Sequence, residues 1–380
     1  MTFDSPDIPP TDGQPTYPFR AVVQKCRDYY VKHEKYSATV VFALGFIWDA
    51  MTLRRIDNTL DNLILLGYLV LIGAVIILNL RFETGAAIHN LLRRAVPRFP
   101  LAIQFCFGGL FSSYVVFYFK SASFTRTAFF FLLLVGLLIA NEFLEKRLLN
   151  RTLLSAFYCF CFFSFLAFFL PVILCDIRPR VFVFAGVIAV AISFFVFAFG
   201  LGGKRPAWKS AARQTAAPIA GVFLFLNVLY FANLIPPVPL ALKTGRIYHH
   251  VEKTPAGYEV KYVPSSIFYF WRSVNNPFYW TPGESVYCFT SIFAPGGVRV
   301  TLLHVWSRKT EAGWITTERI PFSIYGGRDG GYRWYSKKNA VSPGRWRVQV
   351  QTQTGQILGE VSFTIKQSDE PRELHKSLLE

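Results

Sequence analysis

Up to about residue 235 the apolar positions come in long unbroken runs; beyond it they alternate with polar ones. Seven runs are read as membrane spans, at 36–53, 61–80, 101–119, 127–144, 153–174, 181–200 and 217–235. Each has about 18–22 residues, against the ~20 an α-helix needs to cross a hydrocarbon layer. The first is the weakest, being short and carrying Asp49, whereas the others are rich in Leu, Ile, Val and Phe. Gly108, Gly109, Ser112 and Ser113 give the third run a small-residue face for close helix packing. In the connection 81–100, Ala86, Ala87, Ile88, Leu91, Leu92 and Ala95 recur at helical spacing beside Arg93 and Arg94. That pattern predicts a short helix lying in the headgroup layer.

The last run ends in Leu234-Ile235-Pro236-Pro237-Val238-Pro239-Leu240, where three prolines stop the helix and stiffen the exit. After it the period becomes two. Strands are predicted at 286–293, 298–306, 314–324, 332–336, 346–353 and 357–365, with a tight hairpin at Thr354-Gly355-Gln356. Strands at this spacing, punctuated by Gly and Pro, predict an all-β, antiparallel, sandwich-like domain. The preceding stretch 244–283 is aromatic, and either adds strands or lies along the membrane face. The expected organisation is a disordered tail (1–35), an α-helical transmembrane bundle of about seven spans (36–235) and a proline exit with aromatic connector (236–283). A β domain (284–366) and a polar tail (367–380) complete it.

Composition agrees with this division. With 52% hydrophobic and only 17% charged residues, the chain is too apolar for an ordinary soluble protein of 380 residues. Its net charge of +17 invites a nucleic-acid reading. The excess lies instead in short connections between spans, and no basic stripe accompanies a recognition motif, so the lipid bilayer is the expected partner and nucleic acid is not. Connections on one side, with the N-terminal tail, hold sixteen Lys and Arg; the other side holds six: Arg54, Arg55, Lys120, Arg126, Arg178 and Arg180. The richer side is read as cytoplasmic, and Met1–Pro18 lacks the basic and apolar regions of a cleavable signal. An odd number of spans then puts everything after Leu234 outside the cytoplasm.

Of six cysteines only Cys288 lies in the polar part, so that part closes no disulfide of its own. Cys159 and Cys161 read as small apolar fillers, and no His/Cys spacing fits zinc, so neither metal nor cofactor is expected. Within the spans, Asn79, Gln104, Asn141 and Glu142 fall near the cytoplasmic helix ends and are expected to form one hydrogen-bonded layer. Asp49, Asn227 and Asn233 lie further out. Interhelical bonding is the first reading of these residues and a solute or proton path the second.

Four segments carry a family resemblance. They are Gln104-Phe105…Gly109…Phe117-Tyr118-Phe119-Lys120-Ser121 with Asn141-Glu142-Phe143-Leu144; the exit Ile235–Leu242; Gly283-Glu284-Ser285-Val286-Tyr287-Cys288-Phe289 to Phe293-Ala294-Pro295; and His304-Val305-Trp306 with Arg333-Trp334-Tyr335-Ser336-Lys337 and Gly344-Arg345-Trp346-Arg347-Val348. Together they resemble an uncharacterised family of bacterial polytopic inner-membrane proteins with a C-terminal domain of unknown function. The resemblance implies the same architecture and no agreed activity.

Candidate contact residues in the β domain are His304, Trp306, Arg333, Trp334, Ser336, Lys337, Trp346 and Arg347. Aromatic rings beside cationic donors suit a glycan or a carboxylate-bearing polymer, while the competing reading buries the tryptophans as core. A hydrolytic set of Ser336, His304 and Asp329 lacks a nucleophile elbow, and paired-carboxylate chemistry lacks a second acid. No P-loop, dinucleotide fingerprint or HExxH motif occurs, so no catalytic residue is assigned. The leading expectation is an inner-membrane protein presenting an extracytoplasmic β domain that binds an envelope glycan or protein. A small-solute transporter or channel and a membrane-embedded enzyme acting on lipid or glycan are the alternatives.

Overall fold

A computed structural model describes residues 58–85, 95–121, 128–143, 150–202, 208–263, 276–328, 330–368 and 373–379, together with Ile47 and Met51. The chain divides into Met1–Thr52 and Leu53–Glu380. Apart from Ile47 and Met51, the predicted first span with Asp49 lies outside the described residues, as do Asp329 and positions 86–94 of the predicted headgroup helix. Among the described residues six α-helices come first: α1 Thr59–Glu83, α2 Phe99–Ser121, α3 Ala128–Phe143, α4 Arg151–Leu174, α5 Pro179–Leu201 and α6 Trp208–Phe231. Five are long and apolar enough to cross a membrane; α3, with 16 residues, is shorter. Asn58 caps α1 and Asn150 caps α4, each side-chain oxygen accepting from first-turn amides left without helical partners. Pro179 opens α5, where its missing N–H costs nothing. The last helix starts upstream of its predicted span and stops earlier, because Asn233 turns left-handed at φ 57° and Leu234 folds back to Leu229.

Helix α4 is the central one. From Leu154 to Phe168 it is almost wholly buried against α1, α2, α5 and α6. Its phenylalanines lock into gaps left by glycine: a Cβ on Gly186 would stand 2.6 Å from the Phe163 ring. Gly109, on the predicted small-residue face, similarly receives the Tyr68 ring edge, 2.8 Å from where a Cβ would sit. Two buried tyrosine hydroxyls are bonded: Tyr114 donates to the Cys161 carbonyl at 2.7 Å, and Tyr118 to that of Ser164 at 3.4 Å. The outward surface of the helices is greasy throughout, with Leu63, Phe105, Leu132, Phe195, Leu224 and Val228 all exposed.

Eleven strands follow among the described residues: β1 Ala241–Tyr248, β2 His250–Thr254, β3 Gly257–Tyr262, β4 Phe278–Trp280, β5 Val286–Phe293, β6 Arg299–Thr310, β7 Gly313–Tyr325, β8 Tyr332–Lys338, β9 Gly344–Thr352, β10 Ile357–Gln367 and β11 His375–Leu379. They form sheets ordered β1-β5-β8, β4-β10-β9-β6-β7 and β11-β3-β2. All pairs are antiparallel except β4 with β10, which is parallel, so the region is mixed rather than purely antiparallel. Residues 241–262 and 278–280 supply β1 to β4, and β11 falls in the stretch expected as a polar tail.

The first two sheets share an apolar core: Ile247, Val286 and Cys288 from one meet Trp306, Trp346, Val348, Val361 and Phe363 from the other. Strand β5 is buried on both faces, because its Tyr287 and Phe289 pack with Val251 and Val260 of the third sheet. The proline exit is packed rather than free: Ile235, Pro236, Pro237 and Leu240 are buried, and β1 begins at Ala241.

Candidate functional site

The eight candidate contact residues do not converge on one surface: His304, Trp306, Trp334 and Ser336 come together inside the β region, and the basic residues lie elsewhere. Period two correctly puts His304 and Trp306 on one face of β6, but that face is the core, where both have 0% exposure. Ser336 and Trp346 are buried with them, and Trp334 lies flat on Phe322 at 4.2 Å with an interplanar angle of 3°. Arg333 and Lys337 alternate with Ser336 on β8, so they lie on the outer side of the first sheet. There Lys337 reaches over the Tyr287 ring, and Tyr258 of the third sheet donates to the Arg333 carbonyl at 3.0 Å. Arg347 lies on the outer side of the other sheet, over Trp314 and beside Glu360.

His304 is the centre of a hydrogen-bonded stitch between sheets. Trp306 Nε1 donates to Ser336 Oγ at 3.0 Å, and Ser336 Oγ lies 2.8 Å from His304 Nδ1. On the other side Nε2 lies 3.0 Å from Thr290 Oγ1, which donates to the Trp334 carbonyl at 3.4 Å. One assignment satisfies every member: Ser336 donates to Nδ1, and the proton on Nε2 goes to Thr290. Burial pushes the imidazole pKa down to about 3, so the ring is neutral at ordinary pH. Closed in and fully bonded, it offers a substrate no approach. A second link crosses the rim, where buried Lys338 of β8 meets Glu318 of β7 at 2.7 Å.

The residues expected to form one polar layer fall instead into two separate arrangements. Asn79 donates to Glu83 at 2.8 Å, and Glu83 pairs with Arg151 at 2.7 Å. Asn141 donates instead to the backbone carbonyl of Gln104 at 3.0 Å. Asn227 bonds within its own helix, to the Phe223 carbonyl. For Glu142 only the backbone falls among the described residues.

An open, charged cleft lies where helices and strands meet. The α4–α5 connection and the start of α5 (Cys175 to Arg180) form one wall, and the start of β6 with Gln353 forms the other, enclosing about 920 Å³. Cys175 takes a left-handed conformation at φ 50°, ending α4. Its Sγ lies 3.8 Å from the Gly296 carbonyl, and Ile177 packs onto the core cluster of Leu240, Ile292 and Leu302. Asp176 accepts from Arg178 Nε at 2.9 and 3.0 Å and from Arg180 at 3.0 Å. The hydrogen-bonding Arg178 guanidinium, with help from Arg180, holds the Asp176 carboxyl well below the usual carboxylate range. Arg299 stands on the opposite wall, its guanidinium over Tyr325.

Sequence reasoning counted Arg178 and Arg180 only as charges in a connection, and left Arg299 inside a strand. The usable signal was Asp176-Ile177-Arg178-Pro179-Arg180, a charged run set against a helix-opening proline. It also missed His249, which is buried, stacked on Phe278, and paired with Glu284 at 2.5 Å.

The class this defines is a chain of membrane-length helices followed by a β region of three sheets. Residues 300–365, from β6 into β10, match the family model DUF2914, described as a protein of unknown function. The chain therefore carries a domain of unknown function at its C-terminal end, as the resemblance implied. No curated protein matches it. A solved structure, Pseudomonas fluorescens alkylpurine DNA glycosylase AlkC bound to DNA containing an abasic site analog, is similar at 11% identity, covering 82% of this chain and 99% of that one. Its TM-score of 0.20 carries no argument.

Proposed function

We propose that this is a multi-pass protein of the bacterial inner membrane that presents a sandwich-like β domain outside the cytoplasm, as a binding or scaffolding module of the cell envelope. The observation that carries the reading is the fit between charge and architecture. The β region meets the helices at the α4–α5 connection and the exit of α6. The Lys- and Arg-rich connections attach to the other helix ends, and such ends face the cytoplasm. Core packing of Ile177 and the buried proline exit favour a domain held at one angle to the bilayer over one on a loose tether.

The polar pairings within the bundle favour helix association over a solute path. Asn141 is tied to a neighbouring backbone, Asn227 to its own helix, and Asn79 to an ion pair. The dispersal of Arg333, Lys337 and Arg347 over two outer surfaces favours a domain that contacts partners on more than one side. Deletion of residues 241–380 separates the readings: an envelope module loses its whole phenotype, whereas a transporter core retains solute flux.

A further inference from the structure

We propose that the cleft between the α4–α5 connection and β6 holds the phosphate of an anionic glycerophospholipid, with the lipid's acyl chains running down the apolar flank beside it. This rests on the reading that the helices lie in a bilayer with the β region just beyond it. Three arginines line the cleft from two distant parts of the sequence: Arg178 and Arg180 at the start of α5, and Arg299 at the start of β6. Among the described residues Asp176 is the one carboxylate lining it, which leaves two net positive charges.

Asp176 does not exhaust these donors. Each guanidinium has five N–H groups, and the Arg178 and Arg180 side chains remain 64% and 66% exposed. Clamping by Asp176 instead fixes two arginines in position, so less side-chain entropy is lost when a phosphate arrives. Thr301 and Gln353 add polar groups on the opposite wall.

The rest of the lining decides the kind of anion. Leu174 and Phe184 border the same cleft, are 48% and 52% exposed, and continue into the outward apolar surface of α4 and α5. A soluble anion would use the arginines and leave that flank unpartnered. A zwitterionic or neutral lipid would use the flank and carry no net charge to match the arginines. An anionic lipid matches both, and a cleft of about 920 Å³ lies within the range of ligand sites. The site also spans the junction, so an occupant would touch helix and strand together.

The test uses the full chain in a mild nonionic detergent, where both ends of the bundle are accessible and orientation in a cell has no bearing. Native mass spectrometry reads retention of dioleoylphosphatidylglycerol against dioleoylphosphatidylcholine added in equal amounts. The wild-type chain is expected to keep the anionic lipid preferentially. The double variant Arg180→Gln/Arg299→Gln is expected to lose affinity for it about 30-fold, at ~1 kcal/mol for each arginine, with phosphatidylcholine retention unchanged. Lys309→Gln, an exposed charge on the far part of β6, serves as the control and is expected to change nothing. Three results overturn the proposal: no preference for the anionic lipid, an equal loss in Lys309→Gln, or displacement of the lipid by millimolar inorganic phosphate, which would make the site one for free phosphate. None of these touches the orientation of the β region, which surface labelling in cells tests separately.

Discussion

Replacing Ser336 by Ala removes one oxygen and leaves two buried groups without partners. Ser336 is 2% exposed; its Oγ accepts from Trp306 Nε1 at 3.0 Å and pairs with His304 Nδ1 at 2.8 Å. A buried polar group stripped of its bond costs about 1–3 kcal/mol, so two of them put the expected loss near 3 kcal/mol. The space vacated is a single oxygen, too small for a bridging water to restore both bonds. The strands span roughly 130–150 residues, for which this loss corresponds to a fall in Tm of about 10 °C. The assay is thermal unfolding of the full chain in detergent by near-ultraviolet circular dichroism, dominated here by tryptophan and tyrosine packing. Lys337→Ala, one residue along and exposed, should stay within about 0.5 kcal/mol of wild type. If both variants melt within 2 °C of each other, the stitch between sheets is not holding the region together as described.

The remaining predictions concern pH, a rim ion pair and a loop. Because burial lowers the His304 pKa to about 3 from an ordinary value near 6.5, the unfolded chain takes up a proton first as pH falls. Stability should therefore be level above pH 6.5 and fall toward pH 3 by at most ~1.4 kcal/mol per unit from this group, and His304→Gln should flatten the slope measured by urea unfolding at several pH values. Glu318→Ala strands the buried Lys338 ammonium and should cost about 1–2 kcal/mol, less than a fully buried pair because Glu318 is 43% exposed. Gly297 has φ 79°, and a Cβ there would stand 2.6 Å from Cys175 Sγ, so Gly297→Ala should push the loop from the helix end. The expected readout is faster maleimide labelling of Cys175; an unchanged rate would refute the contact.

Where a single physical rule sets the pattern, the chain could be read directly. The runs at 61–80, 101–119, 153–174 and 181–200 became helices α1, α2, α4 and α5 within a few residues, since only long apolar helices match such runs. Strand β5 appeared at Val286–Phe293, as predicted, bounded by Gly283 on one side and Pro295-Gly296-Gly297 on the other. Strand β1 was not legible, because Gly245 interrupts its alternation and its Cβ position is filled by Val361 of another sheet. The parallel partner of β10 was hidden for a similar reason: β4 is only Phe278–Trp280, too short to show a period.

The contact set failed at a definable step. Alternation groups side chains by face but does not say which face is covered, and His304 with Trp306 turned inward because Phe322, Trp334 and Phe363 close over them. Nor does it say which strands share a sheet. Arg333 and Arg347 belong to different ones and so emerge on different sides. The arginine cleft depends wholly on tertiary packing, since Arg180 and Arg299 come together where Cys175 and Ile177 dock onto the strands.

Cysteine labelling tells whether the β region stands outside the cytoplasm, at the Lys- and Arg-poor ends of the helices. In a Cys175→Ser background, Asn339→Cys on the exposed rim and Gln214→Cys near the start of α6 are each treated in intact cells with a membrane-impermeant maleimide. With the β region outside, the cysteine at position 339 labels at once and the one at 214 only after permeabilisation. The reverse order would contradict that placement.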